Sequence, residues 1–479
     1  MPHILERLGV PVSELVNDSR KAAPGAVFAA YPGEARDGRD FIPQAVAQRI
    51  DGVLWDADRF QWDPALPVPN AGVAGLRYRI GEIAAHVYGE PSRAMHMVGV
   101  TGTNGKTSVA HWTAQSLTRL GRKTAVIGTV GNGFPGALTP TLNTTPDAIA
   151  LQQRLAHYRQ QGAAACAMEV SSHGLAQGRV NGSCFNVAVL TNLSRDHLDY
   201  HGSMENYAAA KARLFAWPGL ESAVLNLDDA FGRQLEGEIR HARVAGYGFT
   251  RGAVVGESLR LGRTGLAMKV RTDWGDADMA APLLGRFNAA NLLAVLATLL
   301  VSGARLDEAC AALAHVTPPP GRMQTLGSGV HPLVVIDYAH TPDALEKVLA
   351  TLRESLQGGR LICVFGCGGN RDKGKRPLMG EVAAKGADEV WVTSDNPRHE
   401  DPEVIIEAVL AGARRVASKQ GLHVETDRAR AIFEAIGGAQ QGDLVLIAGK
   451  GHEDYQEIGD ERLPFSDAAV ARKALAAWT

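Results

Sequence analysis

The stretch Gly99-Val-Thr-Gly-Thr-Asn-Gly-Lys-Thr-Ser108 continues an apolar run, Met95–Val100, and precedes a helical pattern, Val109–Leu120. A glycine-rich turn between a strand and a helix presents backbone N–H groups that can wrap a phosphate chain. Lys106 can reach the β- and γ-phosphates, and the Thr107 hydroxyl can ligate Mg²⁺. The strict motif fails at one position, where a valine replaces its first glycine. We predict a nucleotide-phosphate site in this first glycine loop (residues 99–108), with a plain tight turn as the alternative.

Outward from this loop, short apolar runs alternate with helical stretches, which predicts a doubly wound α/β sheet. The predicted strands after the loop are Thr124–Ile127, Ala165–Met168, Val187–Thr191 and Ala223–Asn226. Leu259–Arg271 indicates further β structure, and Phe287–Val301 predicts a long helix.

The length of 479 residues suggests about three domains at ~150 residues each. Turn residues at Gly89–Pro91 and Pro318–Gly321 favour boundaries there, which gives domains 1–88, 89–317 and 318–479. The last domain repeats the α/β alternation and predicts a second, parallel sheet. Its predicted strands are Leu333–Ile336, Arg360–Phe365, Glu389–Thr393 and Leu444–Ala448, and its predicted helices include Asp343–Leu356 and Pro402–Lys419.

Composition excludes several classes of protein. Lys and Arg number 49 against 51 Asp and Glu, so the net charge is −2 and gives no global attraction to nucleic acid or to an anionic membrane. No apolar run approaches the ~18 residues of a membrane span, and the first twenty residues lack a signal-peptide pattern. The five scattered cysteines suit a reducing compartment better than a disulfide framework. We therefore expect a cytoplasmic protein.

Polar motifs follow two predicted strands of the central block. Glu169, in the motif EVSSHG, can hold Mg²⁺ at a strand end, and a merely capped strand end is equally compatible. The cluster Thr191–Asp199 fits metal or phosphate contact, or else a capped helix start. Lys211, alone on a helical pattern, is expected from its local sequence to be solvated.

Four polar motifs follow strands of the last block. Asp337 can accept hydrogen bonds from a ribose, or it belongs to a turn before a helix cap at Asp343. The basic glycine loop 366–377 suits an anionic ligand, or it is a solvated loop. Ser394–Arg398 alone predicts a turn, and Gly449–Asp454 ends a later strand. Because parallel strands end at one edge of a sheet, we expect the last three of these loops to converge on one ligand.

Taken together, the motifs resemble the Mur ligases of bacterial cell-wall synthesis, in particular the branch that adds diaminopimelate. The resemblance covers nearly the whole chain in the same order. It is carried by Asp18–Arg20, TGTNGKTS, Asn143–Thr145, EVSSHG, Thr191–Asp199, DYAHTPDAL, GCGGNRDKGKRP, DNPR and GKGHEDYQ. It implies an N-terminal domain that holds the UDP end of the substrate, a central P-loop-type domain that binds ATP, and a Rossmann-like C-terminal domain that brings the amino acid.

The resemblance also implies an activity. It is that of an ATP-dependent ligase joining meso-2,6-diaminopimelate to the D-glutamate of UDP-N-acetylmuramoyl-L-alanyl-D-glutamate in peptidoglycan biosynthesis, through an acyl phosphate. ATP and two Mg²⁺ ions are the expected cofactors. The expected partners are these small molecules, with no nucleic acid and no membrane insertion, and a monomer is the working expectation.

Site residues follow from the resemblance by motif. For ATP they are Gly102, Thr103, Asn104, Gly105, Lys106, Thr107, Ser108, Asn291 (adenine), Arg322 (phosphates) and Asp337 (ribose). For the UDP-linked substrate they are Ser19 (uridine), Asn143, Thr144, Thr145, Ser171, Gln177 and Arg179. For diaminopimelate they are Arg371, Asp395, Asn396, Pro397, Arg398, Gly449 and Glu453. For Mg²⁺ they are Thr107, Glu169, His197 and Lys211, the last as a carbamylated lysine.

Arg398 decides the amino acid in this interpretation. Diaminopimelate is lysine with an added distal carboxylate, which Arg398 can bind bidentately. Lysine would leave a buried Arg398 unpaired, at a cost of about 1–3 kcal/mol. Lysine-adding and dipeptide-adding ligases, folylpolyglutamate synthase and a P-loop nucleotide switch are the competing hypotheses. A switch would need no carboxylate-plus-amine substrate pair.

Overall fold

The structure is a computed structural model that describes residues 2–141, 143–327, 329–356, 358–416 and 421–478. The chain forms two compact units. Unit 1 comprises Met1–Val255, Thr272–Trp274 and Leu293–Ala309, and unit 2 comprises Gly256–Arg271, Gly275–Leu292 and Cys310–Thr479. Within the described residues, no helix has the length and apolar character needed to cross a membrane.

The N-terminal part of unit 1 is a parallel sheet in the order β1-β2-β3-β4. Its elements are α1 (Pro2–Leu8), β1 (Glu14–Val16), β2 (Ala26–Ala30), α2 (Ile42–Ala47), β3 (Gly52–Asp56), β4 (Asn70–Val73) and α3 (Leu76–Val87), with 3-10 turns at Ser19–Lys21, Gly38–Phe41 and Pro91–Ala94. Helix α3 ends at Val87, just before the turn residues Gly89–Pro91. Its buried face, including Leu76 and Ile80, shares a core with Ala148 and Ile149 of the central part.

The central part of unit 1 is the predicted doubly wound sheet. Its elements are β5 (His96–Thr101), α4 (Lys106–Arg119), β6 (Thr124–Gly128), β7 (Gly131–Phe134), β8 (Ala137–Thr139), α5 (Ala148–Gln160), β9 (Ala165–Glu169), α6 (Ser172–Ala176), β10 (Val187–Leu190), α7 (Leu198–His201), α8 (Met204–Phe215), β11 (Ser222–Asn226), α9 (Ala230–Glu238) and β12 (Arg243–Gly248). The order is β12-β11-β10-β5-β9-β6-β7-β8.

All pairs from β12 to β6 are parallel, while β7 and β8 add an antiparallel edge that the sequence did not predict. The strands of the parallel part are nearly fully buried, which explains their continuous apolar runs. Because β5 lies between β9 and β10, the first glycine loop, Glu169 and Thr191 leave the sheet at the same edge.

Both units draw on residues 254–313. This stretch holds β13 (Val254–Gly262), β14 (Gly265–Thr272), β15 (Gly275–Ala281), α10 (Arg286–Val301) and α11 (Leu306–Leu313). The predicted β structure at 259–271 and the predicted helix at 287–301 are confirmed.

The rest of unit 2 is a second α/β sheet in the order β16-β17-β21-β18-β19-β20, parallel except for β16. Its elements are β16 (Gln324–Leu326), β17 (Leu333–Asp337), α12 (Pro342–Ser355), β18 (Leu361–Phe365), α13 (Lys375–Gly386), β19 (Glu389–Val392), α14 (Pro402–Ala413), β20 (Leu422–Val424), α15 (Arg428–Gly437), β21 (Leu444–Ala448), a hairpin of β22 (Tyr455–Ile458) and β23 (Glu461–Pro464), and α16 (Asp467–Ala476).

Two boundaries in unit 2 differ from the sequence prediction. The cap of α12 is Thr341, whose hydroxyl accepts from the Ala344 N–H, and not Asp343. Helix α14 ends at Ala413, short of the predicted end at Lys419, and residues 417–420 lie outside the described part.

Candidate functional site

The first glycine loop leaves β5 through Gly102 and enters α4 after Gly105, and both glycines have positive φ, 145° and 85°. A Cβ atom on Gly102 would collide with the hydroxyl oxygen of Thr191, so glycine is required at this turn. The Lys106 ammonium donates hydrogen bonds of 2.9 Å to the carbonyl oxygens of Gly102 and Thr103. Lys106 therefore lies within the curve of the loop, where its charge would meet a phosphate chain.

The residues after β10 hold this loop in place. The Thr191 hydroxyl donates to the carbonyl oxygen of Asn104 at 2.6 Å, and the Thr103 N–H donates to that of Asn192 at 2.8 Å. The Ser194 N–H donates to the Thr103 hydroxyl at 2.9 Å. The first half of the motif 191–199 thus fixes the shape of the glycine loop.

The second half of that motif carries His197, which is half-exposed with φ 52° in the left-handed region. Its imidazole Nε2 lies 3.5 Å from Asp196 Oδ2, and its side chain makes no cap hydrogen bond to α7. The cap of α8 is Ser203 instead. The capped-helix alternative therefore does not account for His197, whose ring stays available to a ligand.

His197 belongs to a cluster of three histidine rings, of which the predicted motifs contain His173 and His197 but not His201. The ring of His173 lies 4.8 Å from that of His197 and 5.4 Å from that of His201, between ring centroids. Burial and the neighbouring histidines lower the pKa of His173, and burial lowers that of His201. His173 and His201 therefore favour the neutral form on this side of the site. His201 lies four residues from His197, the only periodic signal that could have indicated it.

Glu169 ends β9 and is 1% exposed. Its carboxylate accepts hydrogen bonds from the Thr107 hydroxyl at 3.0 Å, from the Thr129 N–H at 2.8 Å and from the Thr129 hydroxyl at 3.1 Å. A Cβ atom on Gly128 of the neighbouring strand would collide with the Glu169 side chain. The lack of a side chain at Gly128 therefore makes room for the carboxylate. The arrangement brings a carboxylate and a hydroxyl together beside the glycine loop.

The oxygen set of Thr107 and Glu169 fits Mg²⁺. This ion takes one or two protein oxygens and completes its shell with water and phosphate oxygens. Over the described ranges, no group of three or more His, Cys, Asp or Glu side chains gathers as a complete metal site. The pair is therefore suited to an ion held jointly with a phosphate chain, and not to a closed structural site.

Lys211 contradicts the expectation of a solvated lysine. It is 1% exposed, its ammonium donates to the carbonyl oxygen of Gly102 at 2.8 Å, and it lies 4.4 Å from the centre of the Tyr207 ring. Burial, with the charge of Lys106 nearby, lowers the pKa of Lys211 well below its ordinary value. The small residues between Tyr207 and Lys211 let this face of α8 approach the sheet, and that spacing was the available signal.

Thr145, Ser171, Gln177 and Arg179 form one network beside Glu169. The Thr145 hydroxyl donates to the carbonyl oxygen of Glu169 at 2.9 Å and accepts from the Ser171 N–H at 3.0 Å. Arg179 donates through Nη1 to the carbonyl oxygen of Thr145 at 2.9 Å and through Nε to Gln177 Oε1 at 2.8 Å. Burial lowers the pKa of Arg179. These four predicted residues are therefore brought together.

The other residues predicted for the UDP-linked substrate lie outside this network or at its edge. Thr144 joins the network through its hydroxyl, 3.0 Å from that of Thr129, whereas Asn143 is exposed. Ser19 lies in the N-terminal part of unit 1, where its hydroxyl donates to Gln44 Oε1 at 3.0 Å. Ser19 thus marks a separate place along unit 1.

In unit 2, Asp337 ends β17 and is buried. Its two carboxylate oxygens accept from the backbone N–H groups of Met323 at 2.8 Å and Ala339 at 2.9 Å, and burial raises its pKa. Asn291 is buried in α10, where its amide donates to Asn288 Oδ1 at 3.3 Å. Each predicted nucleotide contact of unit 2 thus already has a partner within its own unit.

Arg322 packs its guanidinium 5.0 Å from the centre of the Tyr338 ring. His452, which sequence reasoning did not single out, lies against the same ring at 5.3 Å between centroids. Burial and the charge of Arg322 lower the pKa of His452 to about 4, so it is neutral at physiological pH. Arg322 and His452 thus both contact the Tyr338 ring, next to Asp337.

The loops after β18, β19 and β21 converge as predicted, and we call residues 366–377, 394–398 and 449–454 together the DNPR edge. Asn396 Nδ2 donates to Glu453 Oε2 at 2.9 Å, and the buried Lys450 ammonium donates to Asn396 Oδ1 at 2.9 Å and Glu453 Oε2 at 3.0 Å. Gly449 has φ 114°, which favours glycine, and a Cβ atom there would also lie 2.6 Å from Asp395 Oδ2.

Arg398 reaches into this edge from a backbone with φ 53°. Its Nη1 donates to the carbonyl oxygen of Gly369 at 2.8 Å, and its Nε lies 2.8 Å from Glu457 Oε2. Arg371, on the neighbouring loop, is exposed. Glu457 was missed because it follows the recognisable GKGHEDYQ motif and nothing in its local sequence indicates Arg398 as a partner.

Most basic residues of the loop 366–377 have partners. Arg376 is 2% exposed and binds Glu400 bidentately, with both contacts at 3.0 Å. Lys373 lies 3.4 Å from the same carboxylate, and the Lys375 ammonium donates to the carbonyl oxygen of His340 at 2.8 Å. Both alternatives for this loop, an anion site and a solvated basic loop, therefore stay predictions. Arg371 and Lys373 are its exposed cations, and Arg376 is buried against a carboxylate.

A fully buried ion pair supports the DNPR edge. Arg428 donates to both oxygens of Asp467, at 2.7 and 2.8 Å, and to the carbonyl oxygen of Ala448 at 3.0 Å. It also reaches the carbonyl oxygen of Ser394 at 3.4 Å. Because Ala448 ends β21 and Ser394 follows β19, the guanidinium ties together the starts of two site loops.

Three family descriptions match the chain. Residues 11–88 match the Mur ligase family catalytic domain, residues 100–299 the Mur ligase middle domain, and residues 321–451 the Mur ligase glutamate ligase domain.

Among curated relatives, the UDP-N-acetylmuramoyl-L-alanyl-D-glutamate--2,6-diaminopimelate ligase of Chromobacterium violaceum is 56% identical over 100% of this chain and 97% of its own length. A solved structure with the same enzyme name is 38% identical, covers 98% of this chain and 95% of its own, and has a TM-score of 0.75. A folylpolyglutamate synthase of Mycobacterium tuberculosis, complexed with ADP and AMPPCP, has a TM-score of 0.61 at 21% identity over 78% of this chain and 92% of its own, which is a likeness of fold alone.

Proposed function

Since the chain belongs to the Mur ligase family, we propose that it is an ATP-dependent ligase that adds meso-2,6-diaminopimelate to the D-glutamate of UDP-N-acetylmuramoyl-L-alanyl-D-glutamate. The observation that carries the proposal is the 56% identity, over the full chain, with a relative of that name. The reaction belongs to peptidoglycan biosynthesis. ATP and a UDP-linked precursor are cytoplasmic metabolites, so we place the reaction in the cytoplasm.

ATP is proposed to bind through its phosphates to the first glycine loop, from Gly102 to Ser108. The position of Lys106 inside the curve of the loop supports this assignment. Positive charge there would offset the charge that develops on the γ-phosphoryl oxygens as phosphate is transferred. Asn291, Arg322 and Asp337 are proposed for adenine, phosphate and ribose.

Two Mg²⁺ ions are proposed, one at Thr107 and Glu169 and one at His197. When bound, Mg²⁺ neutralises phosphate charge and orients the phosphate chain. A carbamylated Lys211 would present a carboxylate-like anion beside the glycine loop. Its burial and lowered pKa support this modification, because a neutral amine can add to carbon dioxide with loss of one proton.

The UDP-linked substrate is proposed to contact Ser19, Asn143, Thr144, Thr145, Ser171, Gln177 and Arg179. The joined network of Thr145, Ser171 and Arg179 beside Glu169 supports a place for its peptide end near the phosphate loop. The D-glutamate γ-carboxylate would attack the γ-phosphate of ATP and give an acyl phosphate and ADP. These residues would then act by holding the two reacting groups in line.

Diaminopimelate is proposed to bind the DNPR edge through Arg371, Asp395, Asn396, Pro397, Arg398, Gly449 and Glu453. Its amine attacks the acyl carbon, and phosphate leaves. The mixture of cations and carboxylates along this edge supports a ligand that carries both charges.

Phosphate release with ATP and UDP-N-acetylmuramoyl-L-alanyl-D-glutamate, measured with diaminopimelate, with L-lysine and with no amine, tests the proposal. Turnover that depends on diaminopimelate supports it. Equal turnover with lysine would keep the ligase and remove the assignment of Arg398. Hydrolysis indifferent to both substrates would instead indicate a nucleotide switch.

A further inference from the structure

The guanidinium of Arg398 already pairs with a carboxylate of its own chain. Glu457 Oε2 lies 2.8 Å from Arg398 Nε, and Glu457 Oε1 accepts from Arg462 Nε at 3.0 Å. The backbone adds to this placement, because the Arg398 N–H donates to the carbonyl oxygen of Glu457 at 3.0 Å. Glu457 lies on the hairpin of β22 and β23, which borders the DNPR edge. It therefore pairs with Arg462 of the same hairpin and with Arg398 of the edge.

The charges of this trio leave one positive charge in excess. Burial acts to raise the pKa of Glu457, but the hydrogen bond from Arg462 and the charge of Arg398 outweigh it and hold the pKa below its ordinary value. Glu457 is thus ionised at neutral pH. With 22% of Arg398 and 17% of Glu457 exposed, the pair is partly shielded from water.

This pairing changes the physical basis of amino-acid selection. A site rejects a substrate that lacks a group when the protein partner of that group is left unpaired. With lysine bound, Arg398 would still keep the Glu457 carboxylate and the Gly369 carbonyl oxygen. The penalty for the missing carboxylate is therefore smaller than it would be for an arginine without a resident partner.

We propose that Glu457 is a specificity-determining residue that reduces the preference for diaminopimelate over lysine, because it keeps Arg398 paired whichever amino acid is bound. The inference rests on the proposed function, since it takes Arg398 as the contact of the distal carboxylate. Glu457 also competes with that carboxylate for one guanidinium, so its charge raises the KM for diaminopimelate.

Steady-state kinetics of the full chain with each amino acid, for the unchanged protein and for Glu457→Gln, test this proposal. Glutamine keeps the shape and removes the charge. We expect the ratio of kcat/KM for diaminopimelate to that for lysine to rise about three- to fivefold, mainly through a lower KM for diaminopimelate. Glu461→Gln is the matched control, because it removes one charge from an exposed position of the same hairpin. An unchanged or lower ratio, or a higher KM for diaminopimelate, overturns the proposal.

A second variant has the opposite expected sign. Arg462→Gln removes the competitor of Arg398 for Glu457, so Glu457 should pair more strongly with Arg398. We expect a lower ratio and a higher KM for diaminopimelate. A rise in the ratio contradicts the proposal even if Glu457→Gln is too unstable to measure.

Arg398→Ala separates this inference from the function beneath it. If Arg398→Ala leaves the ratio unchanged, the assignment of the distal carboxylate to Arg398 fails. If Arg398→Ala abolishes the preference while Glu457→Gln does nothing, only the role of Glu457 fails. In the Arg398→Ala background, Glu457→Gln is expected to have no further effect on the ratio.

Discussion

The first glycine loop, with Lys211 of α8 beside it, and the DNPR edge both hold cations that are buried or half-buried, but they surround them with different partners. At the glycine loop, the ammonium groups of Lys106 and Lys211 donate to the backbone carbonyl oxygens of Gly102 and Thr103. At the DNPR edge, each of three cations meets a carboxylate, in the pairs Arg398–Glu457, Arg376–Glu400 and Lys450–Glu453.

The difference matches the charges of the proposed ligands. A triphosphate brings several negative charges and no positive one, so a loop with two ammonium groups against its backbone carbonyl oxygens can attract it strongly. Diaminopimelate carries two carboxylates and two ammonium groups, so a balanced surface of both signs complements it. The number of basic residues in a loop therefore does not by itself predict an anion site. Their partners decide it.

The largest expected effect concerns stability at the DNPR edge. Arg428→Met should lower the free energy of unfolding by about 3–5 kcal/mol, because it leaves the fully buried Asp467 carboxylate without its partner. Urea unfolding of the two proteins measures the difference. The double variant Arg428→Met, Asp467→Leu should recover much of the loss. A single variant as stable as the parent would show that the pair is not structural.

The next effect concerns activity at the glycine loop. Lys106→Ala should lower kcat about 10²–10³-fold with little change in stability, because its charge serves the ligand and not the fold. Phosphate release with all three substrates gives kcat, and Lys123→Ala, an exposed lysine of the same unit, is the matched control. If Lys106→Ala retained more than a tenth of the parent's kcat, the proposed difference between the cations of the glycine loop and those of the DNPR edge would be wrong.

A smaller effect is expected at Arg398. Arg398→Ala should lower kcat/KM for diaminopimelate about 10–100-fold while the KM for ATP stays the same, because one bidentate ion pair is lost. Initial rates at varied diaminopimelate and varied ATP measure the two quantities. A matching rise in the KM for ATP would mean that Arg398 contributes to the binding of both ligands. The glycine loop and the DNPR edge would then not serve separate ligands.

The smallest effect is a pH dependence. The hydrogen bonds from Arg376 and from the Asn370 N–H lower the pKa of Glu400 to about 2. Because the pKa of Glu400 is lower in the folded than in the unfolded state, its ionised carboxylate stabilises the fold at pH values above the unfolded pKa, near 4.5. This contribution is lost as the pH falls towards 2. Glu400→Gln should therefore be less stable than the parent at pH 5, and the difference should narrow at pH 3. Urea unfolding of both proteins at both pH values measures the difference in their free energies of unfolding. A difference that is larger at pH 3 than at pH 5 would contradict the prediction.

Much of the fold could be predicted from the sequence because its central strands are buried on both faces and appear as continuous apolar runs. The edge hairpin of β7 and β8 was missed because Gly131–Phe134 contains two glycines and little apolar material. The positions of the glycines and of the strand ends in the sequence indicated where the site loops lie. The domain boundaries and the ligand roles stay predictions.

The partners of the site residues could not be predicted in the same way. Glu457 meets Arg398 across 59 residues, and Glu400 meets Arg376 across 24, so no local spacing indicates either pair. Lys211 was misjudged because its burial depends on how closely α8 approaches the sheet. Local patterns thus predicted where the loops begin, whereas tertiary contacts determine which charges remain for a ligand.

His197 and Arg398 share the left-handed backbone noted above, which costs a residue with a Cβ atom about 1 kcal/mol or more. Glycine would relieve that cost at both positions and would also remove both side chains. A library screened only for heat resistance is therefore expected to accumulate glycine at positions 197 and 398 and to drift towards proteins that are more stable but less active. Under the ligand roles proposed for His197 and Arg398, these two positions give up thermal robustness for activity, so a stabilisation effort has to select for turnover at every round.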